Sequence, residues 1–140
     1  MASPEYSDLL LEHSRHPRNA GAFAASAPNI GTALVGSPEN GAVVQLQIQV
    51  QAGLPAQIRA VRFKAYGDTA TIAAASLMTE WLHGKTLDEA QQLTSSQLVQ
   101  ALGVPPARVF GAMLVQDAVR GAIAHYTRQH PASQPSTALS

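Results

Sequence analysis

The chain has 140 residues, 46% of them hydrophobic and 13% charged, and its nine acidic and nine basic side chains cancel. That composition fits one globular domain able to bury a core, and it excludes the electrostatic footprint of a protein that binds nucleic acid or an anionic membrane surface. Cysteine is absent altogether, which removes disulfides, thiolate metal sites, iron–sulfur ligation by cysteine and persulfide chemistry on this chain.

The opening MASPEYSDLL lacks the basic-then-apolar layout of a signal peptide, and apolar runs such as ATIAAASLM are too short to span a membrane. A soluble cytoplasmic protein is expected. Ser3-Pro4-Glu5 combines a capping serine, a proline at the first helical position and an acid in the first turn. It predicts a short helix running to about His13. Pro17 and Gly21 break that helix, and residues 22–30 carry no period and read as a loop.

Three strands are expected next. GTALVG (31–36) shows the weakest alternation. In VVQLQIQV, Val44, Leu46, Ile48 and Val50 alternate with glutamines, the pattern of a half-buried strand. After a turn through QAGLPA, IRAVRFKAY sets Val61, Phe63 and Ala65 opposite Arg62 and Lys64. The short connection makes these two strands antiparallel, and their polar faces call for cover on one side only.

The remainder is helical. Residues 69 to about 83 are expected to form a helix with Ile72, Ala73, Leu77 and Trp81 on one stripe and Gly84 as its stop. Thr86 with Glu89, and Thr94 with Gln97, match the capping boxes of two short helices. From Pro105 to Tyr126 a long helix is expected, in which Val109, Phe110, Met113, Leu114, Ala118, Val119, Ala122 and Ile123 recur at helical spacing. The fold class is α+β, a small antiparallel sheet with helices packed on one face. It fills a single domain over residues 1–129, and the Pro- and Ser-rich residues 130–140 form a mobile tail.

Candidate chemistry is sparse. Asp68 sits where a strand gives way to a helix, and aspartate is a favoured N-cap, worth about 0.5–2 kcal/mol over alanine. Capping accounts for it, since no pattern nearby supplies converging partners. His13 and His16 are one helical turn apart, but Pro17 follows the second and no H-E-x-x-H pattern is present, so a surface pair is expected. GSPENGA (36–42) is a turn without the residues of a phosphate loop, and no serine lies in a G-x-S-x-G context. No catalytic constellation emerges, and a non-enzyme is expected.

The stretches HPRNAGAF, VGSPENGAVVQLQIQV, VRFKAYGDTATIAAASLMTEWLHGKTLDEA and LGVPPARVFGAMLVQDAVRGAIAHY carry a further signal. Through them the chain, from about Tyr6 to Tyr126, resembles the IscU / NifU N-terminal family of iron–sulfur cluster scaffold proteins. The resemblance implies a three-stranded antiparallel sheet with helices on one face. It also implies a site at one end of that fold, where three cysteines, a histidine and an aspartate receive sulfur from a cysteine desulfurase, bind iron and hold a transient [2Fe–2S] cluster. At the matching positions this chain has Asn40, Asp68 and Gly111 for the cysteines, Ala42 for the aspartate and Phe110 for the histidine.

The resemblance therefore implies a scaffold-like protein with no cluster ligands, for which no cofactor and no resident metal are expected. An accessory role is expected instead, binding a partner such as the cysteine desulfurase or an Hsp70-type chaperone system. The family's chaperone-recognition segment corresponds to VPPAR, making Pro105, Pro106 and Arg108 the candidate partner-binding residues. Two alternatives stay open: weak binding of iron or another divalent ion through Asp68 and its neighbours, and a small-molecule pocket near Phe110.

Overall fold

A computed structural model describes residues 6–131, in the order α1 (Asp8–Arg15), β1 (Ile30–Ser37), β2 (Ala42–Gln51), β3 (Gln57–Tyr66), α2 (Thr69–Leu82), α3 (Leu87–Gln91), α4 (Ser95–Leu102) and α5 (Phe110–Gln129). Short 3-10 turns lie at Pro38–Asn40 and Pro106–Arg108. The strands form one antiparallel sheet in the order β1-β2-β3.

Alternation along β2 decides how the sheet is used. Ala42, Val44, Leu46, Ile48 and Val50 are buried, while Gln45, Gln47 and Gln49 remain half-exposed on the other face. Strict alternation would break down on β3, where Ile58 and Val61 both face the core. A bulge resolves the conflict: Gln49 pairs with Ala60 and Val50 with Ile58, so Arg59 is the extra, unpaired residue.

The helices cover the apolar face, with α5 lying on β1 and β2 and α2 beside it against β3. Contact between α5 and β1 is close because two glycines face it. A Cβ on Gly31 would strike the Ala122 carbonyl, and one on Gly121 would lie 2.9 Å from the Ala33 Cβ. Val115, Val119, Ile123 and Tyr126 complete this layer, and burying each large side chain contributes about 1.5–3 kcal/mol.

The expected single stripe on α2 is corrected by the structure. Ala70, Thr71 and every residue from Ala73 to Thr79 are buried, whereas Ile72 and Trp81 are only half-buried. Its small alanines, serine and threonines let α1, α4 and α5 approach from other sides than β3, which makes α2 the central helix.

Helix ends follow their chemistry with some shifts. Thr86 with Glu89 and Thr94 with Gln97 form complete capping boxes. The observed cap of α1 is Ser7, whose oxygen accepts the Leu10 N–H at 3.0 Å while its hydroxyl donates to the Leu102 carbonyl at 2.6 Å. That second bond ties α1 to α4. The expected start at Ser3-Pro4-Glu5 lies outside the described residues, and α1 ends at Arg15 rather than His13. The proline pair does not open α5 directly: Pro106–Arg108 is a 3-10 turn, and α5 runs from Phe110 to Gln129. His130 stacks on Tyr126 with ring centroids 4.2 Å apart, and residues 132–140 of the expected mobile tail lie outside the described residues.

Residues between α1 and β1 run against β3 and the polar face of the sheet. Phe63 donates its N–H to the Asn19 carbonyl at 3.0 Å and accepts the Gly21 N–H at 2.8 Å. Phe23 then donates to Gln47 Oε1 at 2.9 Å and lies beneath the Arg62 guanidinium, 5.1 Å from the ring centroid. Among the described residues, no helix is long and apolar enough to cross a membrane.

Candidate functional site

The five positions singled out by the resemblance come together at one end of the fold. Asn40 closes the turn after β1, Ala42 opens β2, Asp68 caps α2, and Phe110 and Gly111 open α5. The register pairs Ser37 with Ala42 and Val43 with Tyr66, placing the β1–β2 turn beside the end of β3. Leu114 of α5 reaches Gly36 of β1 at the same end.

Asp68 is a working cap. Its Oδ1 accepts the Thr71 N–H at 2.9 Å and the Thr71 hydroxyl at 2.8 Å, while Arg108 Nη1 stands 3.9 Å from Oδ2. The Asp68 and Arg108 side chains are 38% and 47% exposed, so solvent screens their attraction. Through this pair, Pro105, Pro106 and Arg108 are set beside the α2 N-terminus.

The other positions bring no donor chemistry of a cluster site. Asn40 is exposed, and its backbone N–H donates to Ser37 Oγ at 3.3 Å. Ala42 is buried in the sheet and Gly111 is buried against Thr71. Phe110 and Met113, expected on the apolar stripe of α5, instead face outward with 44% and 52% exposure. They fall on the side of the first helical turn turned away from α2 and the sheet. Clefts of ≈ 590 Å³ beside Trp81, Lys85 and Leu93, and of ≈ 470 Å³ beside Arg59, Arg62 and His83, open elsewhere than at Phe110.

A [2Fe–2S] cluster is held by soft ligands, thiolate above all. An amide, a methyl, a carboxylate, a phenyl ring and a glycine do not fit it. For a hard cation the site offers one carboxylate, already accepting two hydrogen bonds on Oδ1. Among the described residues, no group of three or more His, Cys, Asp or Glu is placed to hold a metal ion.

The histidine pair is also corrected. His16 is exposed as expected, but His13 is 3% exposed and sits in a polar cluster against α2. His13 Nδ1 lies 2.7 Å from Ser76 Oγ, and the same oxygen accepts the Arg18 N–H at 2.9 Å. His13 Nε2 is 3.5 Å from Glu80 Oε1, and Arg18 approaches Glu80 and Glu12 at 3.8 and 3.1 Å. Burial first, and then the Arg18 charge, hold His13 below the ordinary histidine value, with Glu80 and Glu12 pulling it back up. One turn along, Asn19 donates to Thr79 Oγ1 at 3.0 Å. The available signal was the pair Ser76 and Thr79, two hydroxyls three residues apart that interrupt the apolar run beginning at Ile72.

Comparison with known proteins gives the family of the chain. The profile of the NifU-like N terminal domain matches residues 5–133. The chain is 40% identical over 128 residues to the iron-sulfur cluster assembly scaffold protein IscU of Escherichia coli (strain K12), covering 91% of this chain and 98% of that one. It is 38% identical over 131 residues to the mitochondrial iron sulfur cluster assembly protein 1 of Kluyveromyces lactis, covering 92% of this chain and 71% of that one. In fold, it resembles the crystal structure of a nitrogen-fixing NifU-like protein (N-terminal) from Brucella abortus, with a TM-score of 0.67 at 18% identity over 88% of this chain and 94% of that one.

Proposed function

The chain belongs to the NifU-like N-terminal domain family, and from that premise we propose that it serves iron–sulfur cluster assembly by binding partners rather than by carrying a cluster. In this reading it is a cytoplasmic, non-enzymatic relative of the scaffolds, without a cofactor of its own. One observation carries the proposal: none of the five positions that the resemblance assigns to cluster binding bears a thiol, and the chain contains no cysteine to substitute for one. The body of the fold is retained while the ligands are absent, which supports a role for the protein's surface rather than for a cluster.

Partner binding is assigned to the segment leading into α5. Pro106 and Arg108 are exposed and Pro105 is half-buried. The two prolines restrict the turn before anything binds, which lowers the entropic cost of recognition. The partner classes are the cysteine desulfurase and the Hsp70-type chaperone system.

Two measurements test this. Tagged full-length protein, captured from native lysate, is expected to enrich the desulfurase or the chaperone, and to enrich less after Pro105→Ala, Pro106→Ala and Arg108→Ala are combined. Capture that never enriches an assembly component overturns the reading. Anaerobic incubation with iron and sulfide is expected to leave the natural chain colourless and metal-free. A charge-transfer band with stoichiometric iron would show that it carries a cluster after all.

A further inference from the structure

Gly111 stands where the resemblance places the third cysteine, and space rather than backbone conformation makes it a glycine. Its backbone is helical, unlike Gly41 and Gly103, whose φ angles of 88° and 64° favour glycine on conformational grounds. A Cβ on Gly111 would run into Thr71 Oγ1 and would lie 2.7 Å from both Cα and Cβ of Thr71. Real Cβ atoms do not approach that closely, and Thr71 Cα belongs to the backbone of α2. A new rotamer at Thr71 therefore cannot clear the contact.

Thr71 is itself fixed. It is 2% exposed, and both its N–H and its hydroxyl are bound to Asp68 Oδ1. Gly67 is close as well, where a Cβ would lie 3.1 Å from Thr71 Cβ. Two of the five positions thus act together. Asp68 orients Thr71, and Thr71 fills the room that a side chain at 111 would need.

We infer that the end of the fold where the family holds its cluster has become, in this chain, a direct crossing of α2 and α5. Thr71 seated on Gly111 closes it, so a cluster cannot be rebuilt there by restoring the ligands alone. The inference rests on the ligand positions used for the proposed function, and it adds that the site is filled as well as stripped of donors. Admitting a side chain at 111 requires α2 and α5 to separate, and Ala112 and Val115 on the next part of α5 are buried in the same packed layer.

Two experiments decide it. In a helix, exchanging glycine for alanine ordinarily raises stability. Here Gly111→Ala is expected to lower the denaturant midpoint, and the loss is expected to shrink when measured in a Thr71→Gly background. An unchanged or raised midpoint on Gly111→Ala overturns the closure. The second experiment restores all five ligands, as Asn40→Cys, Ala42→Asp, Asp68→Cys, Phe110→His and Gly111→Cys, followed by anaerobic incubation with iron and sulfide. Substoichiometric cluster absorption is expected, increasing when Thr71→Gly is added. Full cluster uptake with Thr71 in place overturns the closure. That outcome leaves the cluster-free reading of the natural chain standing, because that reading fails only if the natural chain takes up a cluster or captures no partner.

Discussion

Two polar clusters tie α2 to its neighbours, and they differ in how far water reaches them. At the N-terminus, Asp68 and Arg108 meet at the surface with side chains 38% and 47% exposed, and Asp68 in turn holds the buried Thr71. In the middle of the helix, Ser76 and Thr79 receive His13, Arg18 and Asn19, and Ser76 is fully buried. The exposed cluster lies at the end where the resemblance puts the ligand positions, and it is made of cap and ion-pair contacts of modest strength. The buried cluster has no counterpart in any assigned role, and it fastens α1 and the following segment to the core. Burial sets the stakes, because a polar group that loses its partner away from water keeps its full desolvation cost.

Substitution at His13 separates the two most sharply. His13→Ala removes a buried ring and leaves Ser76 Oγ with one partner fewer, and is expected to destabilise the protein by about 2–4 kcal/mol in denaturant unfolding. A loss comparable to that of an exposed cap would show that the buried cluster has no special weight.

Acid should expose the same difference. In the unfolded chain a histidine titrates at about 6.5, while His13 in the folded protein is held lower by burial and Arg18. As pH falls below the unfolded value, the unfolded chain takes up the proton first, so His13 makes folding less favourable. The loss levels off once pH falls below the folded value, and above the unfolded value His13 contributes no pH dependence. The denaturant midpoint should therefore drop more between neutral and mildly acidic pH in the natural chain than in His13→Gln, whose amide does not titrate. Equal drops would place the acid sensitivity in other groups.

At the exposed cluster the expected effects are smaller. Asp68→Ala removes the acceptor for the Thr71 N–H and hydroxyl and is expected to cost about 0.5–2 kcal/mol. Asp68→Asn retains a capping oxygen and should recover most of that loss. If asparagine proves as costly as alanine, the charge rather than the cap holds this end of α2.

Legibility from sequence followed the range of the interactions. The period-two pattern of β2 and the local cap at Asp68 depend on residues within a few positions of each other, and both read correctly. The bulge at Arg59 left one mark in β3, the odd spacing of Ile58 and Val61, but which residue goes unpaired depends on the register against β2. His13 was misread as a surface residue because its partner Ser76 lies 63 positions away and belongs to a helix whose all-round burial the stripe pattern did not disclose. The five site positions were identified through the resemblance, but the contact between Thr71 and Gly111 needed the packing of two helices far apart in the chain.

The weakest expected effect tests whether the exposed cluster is a unit at all. Arg108 and Asp68 are 3.9 Å apart and partly solvated, so Arg108→Ala should cost no more than about 1 kcal/mol and usually less. Whatever is lost should shrink in about 1 M salt, where the screening length falls to about 3 Å. Combining Arg108→Ala with Asp68→Asn in a double-mutant cycle isolates the ion pair from the cap, since asparagine keeps the latter. A coupling near zero would leave Arg108 free of structural duty, which suits a cation displayed for a partner. A large, salt-insensitive coupling would instead make Arg108 part of the lock that holds the proline turn against α2, and would bring the exposed cluster closer in character to the buried one.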